Sequence, residues 1–142
     1  MTKLRWGCAL FLLGGNALWD MKKQEIQPHL TGVLALAGFL LCFWEEEALL
    51  TYGPGLGLGL CLVGLSVLGQ GAVGLGDGFL LMALGLLLPW EDTLLSLLWG
   101  SLYCALAGGI LLLRHHHKGE RLPFAPFLLA GFLVMSLMRR VV

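Results

Sequence analysis

Residues 93–113 read T-L-L-S-L-L-W-G-S-L-Y-C-A-L-A-G-G-I-L-L-L and contain no charged side chain. A helix needs about 20 consecutive apolar residues to cross the hydrocarbon core of a bilayer, and this run is that long. The whole chain of 142 residues is 58% hydrophobic and only 13% charged, with a mean hydropathy of +0.84. Soluble domains carry about 25% charged residues. The composition therefore predicts a protein that folds in the lipid bilayer, without a separate soluble catalytic domain.

Six apolar runs divide the chain, and the charged residues fall between them. The runs are 4–19, 30–44, 55–69, 79–90, 93–113 and 124–138. Trp6, Trp19, Trp44 and Trp90 lie at the ends of runs, where an indole ring favours the headgroup region. We therefore predict one all-α domain over residues 1–142, a polytopic membrane bundle of about six transmembrane helices. The sequence does not predict its oligomeric state.

Two features of the chain allow other interpretations. The basic start followed by an apolar stretch is similar to a signal peptide, but no small-x-small cleavage site precedes Asp20. Residues 55–60 read G-L-G-L-G-L and alternate with the period of a strand. An isolated strand in lipid leaves its backbone groups unpaired, so a Gly-rich helix is favoured there. Gly55 and Gly59 would then form a small-xxx-small packing face.

Six crossings divide the loops between the two sides of the membrane. One side holds the N-terminus, the loops at 45–54 and 90–92, and the C-terminus; the other holds the loops at 20–29, 70–78 and 114–123. Lys and Arg number four on the first side and five on the second, when every one of them is counted as a loop charge. This difference is too small for the positive-inside rule to decide the orientation.

The crossing count places two carboxyl groups on the same side. Asp20 ends the first run, and Asp77 lies before the fourth, where residues 74–78 read G-L-G-D-G. Burial raises the pKa of each carboxyl, and proximity keeps one neutral while the other is ionised. Such a pair can activate water and polarise a scissile carbonyl, so both are candidate catalytic residues. The alternative is that both only end helices at the interface, with Asp77 capping the fourth helix.

Residues near the two aspartates are candidate substrate contacts. Gly74 and Gly76 carry no side chain, so the backbone there could approach a substrate chain closely. Two further crossings bring Pro123, Phe124 and Pro126 to the same side. We treat these five residues as candidate substrate-binding positions.

Other patterns in the chain do not predict a site. The four cysteines form no C-x-x-C pair and lie in separate apolar runs: Cys8, Cys42, Cys61 and Cys104. The adjacent histidines at 115–117 and glutamates at 45–47 are more simply solvated loops than a metal or partner site. A formal net charge of zero gives no reason to expect nucleic-acid binding. We expect no metal and no cofactor.

Three blocks of the sequence carry a family resemblance. Residues 74–85 read G-L-G-D-G-F-L-L-M-A-L-G, similar to GxGDxKLLAALG, and residues 122–131 read L-P-F-A-P-F-L-L-A-G, similar to IPFGPFLALG. Asp20 precedes I-Q-P-H-L-T at 26–31, as an aspartate precedes a segment like IPNxLT. In these blocks and their order the chain resembles the type IV prepilin peptidase family, membrane aspartyl proteases of the GxGD type.

The resemblance implies a function and a location. Asp20 and Asp77 would be the catalytic aspartates, cleaving the short basic leader of type IV prepilins or pseudopilins before their hydrophobic helix. The protein would be a multi-pass protein of the bacterial cytoplasmic membrane, with its active site on the cytoplasmic face. Long bacterial members add an N-terminal segment with paired C-x-x-C zinc ligands and methylate the new N-terminus. This chain starts almost directly in its first run, so we expect a peptidase without methyltransferase activity.

Three positions depart from the family pattern. Phe79 stands where the family usually has lysine, so no cation follows Asp77 and its pKa should be higher. Gln27 replaces a proline, and Ala125 replaces a common glycine. These changes indicate a divergent member or unusual substrates.

Two other functions stay open. A catalytically silent membrane subunit of a pilus or secretion assembly system would not need both aspartates. A small transporter needs a polar path through the bilayer. For that path the runs offer only Asn16, Ser66, Ser96, Ser101 and Tyr103.

Overall fold

The computed structural model describes residues 2–23, 28–42, 48–69, 74–114 and 123–141, and its regular elements there are all α-helices. These helices are α1 (Thr2–Lys23), α2 (Pro28–Cys42), α3 (Ala48–Leu68), α4 (Leu75–Leu87), α5 (Trp90–Arg114) and α6 (Ala125–Val141). The predicted all-α bundle of six helices is confirmed. The G-L-G-L-G-L stretch lies within α3, so its interpretation as a strand is wrong.

The helices have the length and surface of a membrane bundle. α3 and α5 are long and apolar enough to cross a bilayer, over Leu50–Leu68 and Trp90–Leu111, and α2, α4 and α6 are shorter apolar helices. Large apolar side chains face outward along the bundle, among them Leu10, Phe11, Leu36, Leu40, Leu102 and Leu106. In lipid, apolar side chains on the exterior carry no cost in solvation free energy. Asp20 follows the apolar run 4–19, and Asp77 precedes the apolar run 79–90, so both lie outside the apolar runs.

α4 is the central helix, and glycines hold α3 close against it. A Cβ added at Gly55 would lie 3.0 Å from the Cα of Gly85, and one added at Gly59 would lie 2.5 Å from the backbone nitrogen of Met82. A larger residue at either position would push the two helices apart. This contact confirms the predicted small-xxx-small face on α3.

The glycine that ends the third sequence block has a similar role between α5 and α6. A Cβ at Gly131 would lie 2.5 Å from the backbone oxygen of Ser96, and one at Gly100 would lie 2.9 Å from the Cα of Leu128. The two backbones can therefore approach closely. This contact fixes α6, and with it the residues that precede α6, relative to the rest of the bundle.

Polar contacts at the end of the bundle away from Asp20 confirm how the helix ends are paired. Arg5 was counted as a loop charge, but it lies within α1 and is only 1% exposed. Its guanidinium donates a hydrogen bond to the carbonyl oxygen of Leu86, at 3.0 Å, and lies over the Tyr52 ring. Arg139 on α6 pairs with Asp92 on α5 at this same end. The starts of α1, α3 and α5 and the end of α6 thus lie at one end of the bundle, as the crossing count predicted.

Candidate active site

Asp20 joins the last turn of α1 to the first residue of α6. Its side chain is 5% exposed, and its Oδ2 atom accepts a hydrogen bond from the backbone N–H of Ala125 at 3.0 Å. The first N–H groups of a helix have no partner within that helix, so Asp20 satisfies one of them from a distant part of the chain. The structure therefore brings the first and third sequence blocks into direct contact.

Asp77 lies in the first turn of α4. Gly74 is the N-cap residue of this helix, with φ −63° and ψ 125°, and its carbonyl accepts a hydrogen bond from the backbone N–H of Asp77 at 3.1 Å. The alternative in which Asp77 itself caps the helix is therefore wrong. The Asp77 carboxyl folds back over Gly74 instead, because a Cβ added at Gly74 would lie 2.7 Å from Oδ2 of Asp77.

The charge of Asp20 acts on the carboxyl group of Asp77. Burial, and then the negative charge of Asp20, raise the pKa of Asp77 to about 6. Burial also raises the pKa of Asp20, but hydrogen bonds from the backbone of Ala125 and Phe124 act in the opposite direction. Asp77 therefore lies within electrostatic reach of Asp20.

A buried polar pair lies one helical turn below Asp20. Asn16 is fully buried, and its side-chain nitrogen donates a hydrogen bond to the carbonyl oxygen of Leu12 at 3.0 Å. Thr31 on α2 donates a hydrogen bond to Oδ1 of Asn16 at 3.3 Å. Sequence reasoning treated Asn16 only as an isolated polar residue, although its i, i+4 spacing to Asp20 was a signal that both share a face of α1. The pair ties α1 to α2 beside the candidate catalytic carboxyl.

The candidate substrate-binding residues lie in the chain either beside Asp77 or beside Ala125, the residue that contacts Asp20. Gly74 and Gly76 lie at the start of α4, and Pro123, Phe124 and Pro126 flank the Ala125 N–H that contacts Asp20. Gly74 is exposed and the other four are partly exposed. Their role in binding a substrate stays a prediction. The structure supplies another reason for a glycine at position 74, because a side chain there would occupy the space of the Asp77 carboxyl.

Metal chemistry has no candidate ligand set in the described ranges. No group of three or more His, Cys, Asp or Glu side chains there could hold a metal ion. The histidines at 115–117, the glutamates at 45–47 and Gln27 lie outside the described residues. What the described residues offer is two carboxyl groups at one end of the bundle, Asp20 buried and Asp77 partly buried, an arrangement that can bind and activate water.

Comparisons with known proteins agree with the motifs. The family model described as "Type IV leader peptidase family" matches residues 7–109, which include both aspartates. Proteins named "Prepilin leader peptidase/N-methyltransferase" from Aeromonas salmonicida (strain A449) and Aeromonas hydrophila are each 42% identical to this chain over 69 residues. The matched segment covers 47% of this chain and 24% of each relative, so it represents about a quarter of their length. No solved structure matches the chain.

Proposed function

The chain belongs to the type IV leader peptidase family, and on that basis we propose that it is an aspartic endopeptidase that removes the leader of type IV prepilins or pseudopilins. The observation that carries the proposal is that Asp20 in α1 and Asp77 in α4 lie at the same end of the bundle, where the charge of Asp20 raises the pKa of Asp77. A structural subunit has no need for two partly or fully desolvated carboxyl groups within electrostatic reach, since desolvating each of them costs free energy.

The proposed reaction uses one ionised and one protonated carboxyl. The ionised carboxylate takes a proton from a water molecule as the water oxygen attacks the scissile carbonyl carbon, while the protonated carboxyl donates its proton to the carbonyl oxygen. The tetrahedral intermediate then breaks at its C–N bond. The leaving nitrogen receives the proton held by the first carboxyl, and the second recovers its proton from a hydroxyl of the intermediate. The pair ends in its starting protonation state.

The position of the pair suits a substrate that is half in lipid. Asp20 follows the apolar run 4–19, and Asp77 precedes the run 79–90, so both lie where the bilayer meets water. A substrate with an apolar helix in the bilayer and a charged leader in water presents its junction at this depth. We propose that the chain resides in the bacterial cytoplasmic membrane, with this end facing the cytoplasm.

Leader cleavage is tested by co-expressing the chain with a prepilin from the same genome. We expect a shorter pilin on a gel and, by N-terminal sequencing, a product that begins at the junction between leader and hydrophobic helix. Well-inserted protein that leaves an authentic prepilin intact would overturn the proposal and favour the catalytically silent subunit. The same product analysed by mass shows whether its N-terminus carries a methyl group; we predict that it does not.

Orientation is tested separately by cysteine labelling in intact cells. Lys22→Cys places a thiol at the aspartate end, and Glu91→Cys places one at the opposite end, both at exposed positions. A membrane-impermeant maleimide should label the Glu91→Cys variant from outside and the Lys22→Cys variant only after lysis. The reverse pattern would contradict the cytoplasmic active site.

A further inference from the structure

The two aspartates have different hydrogen-bond surroundings. Asp20 receives the backbone N–H of Ala125, the first residue of the 17-residue helix α6. The N-terminus of a helix carries a partial positive charge, and a carboxylate that accepts a backbone N–H is stabilised in its ionised form. Both effects act on Asp20 from a neighbouring helix that glycines hold tightly in place.

The surroundings of Asp77 favour its ionised form less than those of Asp20 do. It also lies in the first turn of a helix, so the dipole of α4 favours its ionised form too. However, within the described ranges the structure shows no hydrogen bond donated to its carboxyl oxygens, and the neighbouring Asp20 disfavours a second negative charge. A carboxyl that is desolvated beside a carboxylate, without donors of its own, retains its proton.

We propose that the N-terminus of α6 assigns the two catalytic roles: Asp20 is the ionised carboxylate that activates water, and Asp77 holds the proton that is donated to the scissile carbonyl. This inference rests on the proposed function, and it extends it by giving Ala125 a positioning role through its backbone. Burial raises the pKa of both aspartates, that of Asp77 to about 6, and two backbone hydrogen bonds act against the rise for Asp20.

The other titratable groups at this end of the described helices do not reverse the assignment. Those whose side chains the structure describes include Lys22 and Lys23 on α1, His29 on α2 and Cys104 on α5. The two lysines are exposed, and the ammonium of Lys23 lies 4.6 Å from the centre of the Trp19 ring. Their positive charge on the same helix as Asp20 favours its ionised form. The described N-terminal half of α6 and the C-terminal half of α3 carry no charged residue.

Removing one of the two backbone N–H donors to Asp20, that of Ala125, tests the proposal through activity. Proline is well accepted at the first position of a helix, so Ala125→Pro deletes the N–H without breaking α6, and its Cδ, which replaces the hydrogen, also displaces the Asp20 carboxyl from this contact. We expect the acid limb of the pH profile of kcat/KM, which reports ionisation of Asp20, to move up by about one pH unit. The matched variant Ala125→Gly keeps the N–H and should keep the acid limb in place. An unchanged acid limb in a folded Ala125→Pro variant would overturn the proposal.

A direct titration of the wild-type chain needs neither the proline variant nor a substrate. The chain has three aspartates, so 13C-aspartate labelling in lipid bilayers yields three side-chain carboxyl signals, and Asn variants at Asp20, Asp77 and Asp92 assign them. As pH rises, the Asp20 signal should move to its ionised position before the Asp77 signal does. The opposite order, or simultaneous titration, would overturn the role assignment. Failure to cleave prepilin would instead contradict the proposed function, so the two failures are distinguishable.

Discussion

Replacing Gly74 with alanine places a methyl group against the Asp77 carboxyl. The new Cβ would lie 2.7 Å from Oδ2, and ordinary van der Waals contact begins at 3.4 Å, so the carboxyl must move by about 0.7 Å. The atom that moves is the end of a side chain, and the backbone angles of Gly74 are accessible to alanine. The variant should therefore fold and insert as the wild type does, with a displaced catalytic group.

The size of the effect follows from the tolerance of catalytic geometry. Productive positions must be held to about 0.5 Å, and a misplacement of about 1 Å can cost about 100-fold in rate. We expect kcat for prepilin cleavage to fall by about 10- to 100-fold in Gly74→Ala, with unchanged protein level and unfolding temperature in detergent. Purified protein and prepilin in mixed micelles allow kcat and KM to be measured separately.

A matched control variant separates the effect of a methyl group at position 74 from that of a methyl group elsewhere. Gly64→Ala introduces a methyl group with no atom within 4 Å, and it should retain wild-type kcat. Wild-type kcat in Gly74→Ala would refute the argument that this glycine makes room for the Asp77 carboxyl. An increase in KM with unchanged kcat would instead show that Gly74 contacts the substrate chain, as the sequence alone suggested.

Three further predictions concern packing, polar contacts and pH. Gly85→Ala forces α4 away from the backbone of Gly55 and should destabilise the protein by about 1–3 kcal/mol in thermal unfolding, whereas Gly57→Ala has open space and should not. Thr31→Val removes the hydrogen bond to Asn16 and should cost about 0.6–2 kcal/mol by the same assay, with Thr31→Ser close to wild type; equal losses in both would contradict this. The pH profile of kcat/KM should be bell-shaped, falling at low pH as the ionised carboxyl of the pair gains a proton and at high pH, from about 6, as the other loses its proton. A rate that rises steadily to pH 9 would exclude the protonated partner.

The sequence was sufficient to predict the helices and to predict which helix ends lie together. Apolar runs longer than a strand predict helices, and counting crossings placed Asp20 and Asp77 together without any knowledge of tilt or packing. Gly55 and Gly59 were also identified as a packing face, because small residues four apart allow helix backbones to approach. Each of these inferences depends on local periodicity, which the sequence displays directly.

Contacts between distant segments could not be predicted in the same way. Arg5 was taken as a charge outside the bilayer because it stands near the start of a run. In the fold it is buried over Tyr52, a residue that only packing brings to it. Likewise, the N–H of Ala125 carries no sequence signal, since every non-proline residue has one. That Asp20 accepts it depends on how α6 lies against α1.

The central claim is that Asp20 and Asp77 perform the cleavage together. Its most direct test measures prepilin processing by Asp20→Asn and Asp77→Asn, each quantified in the membrane, beside Glu91→Gln, which makes the equivalent change at an exposed site on the opposite end. We expect both aspartate variants to insert normally and lose cleavage, while Glu91→Gln processes prepilin like the wild type. Retained cleavage in either aspartate variant would contradict it.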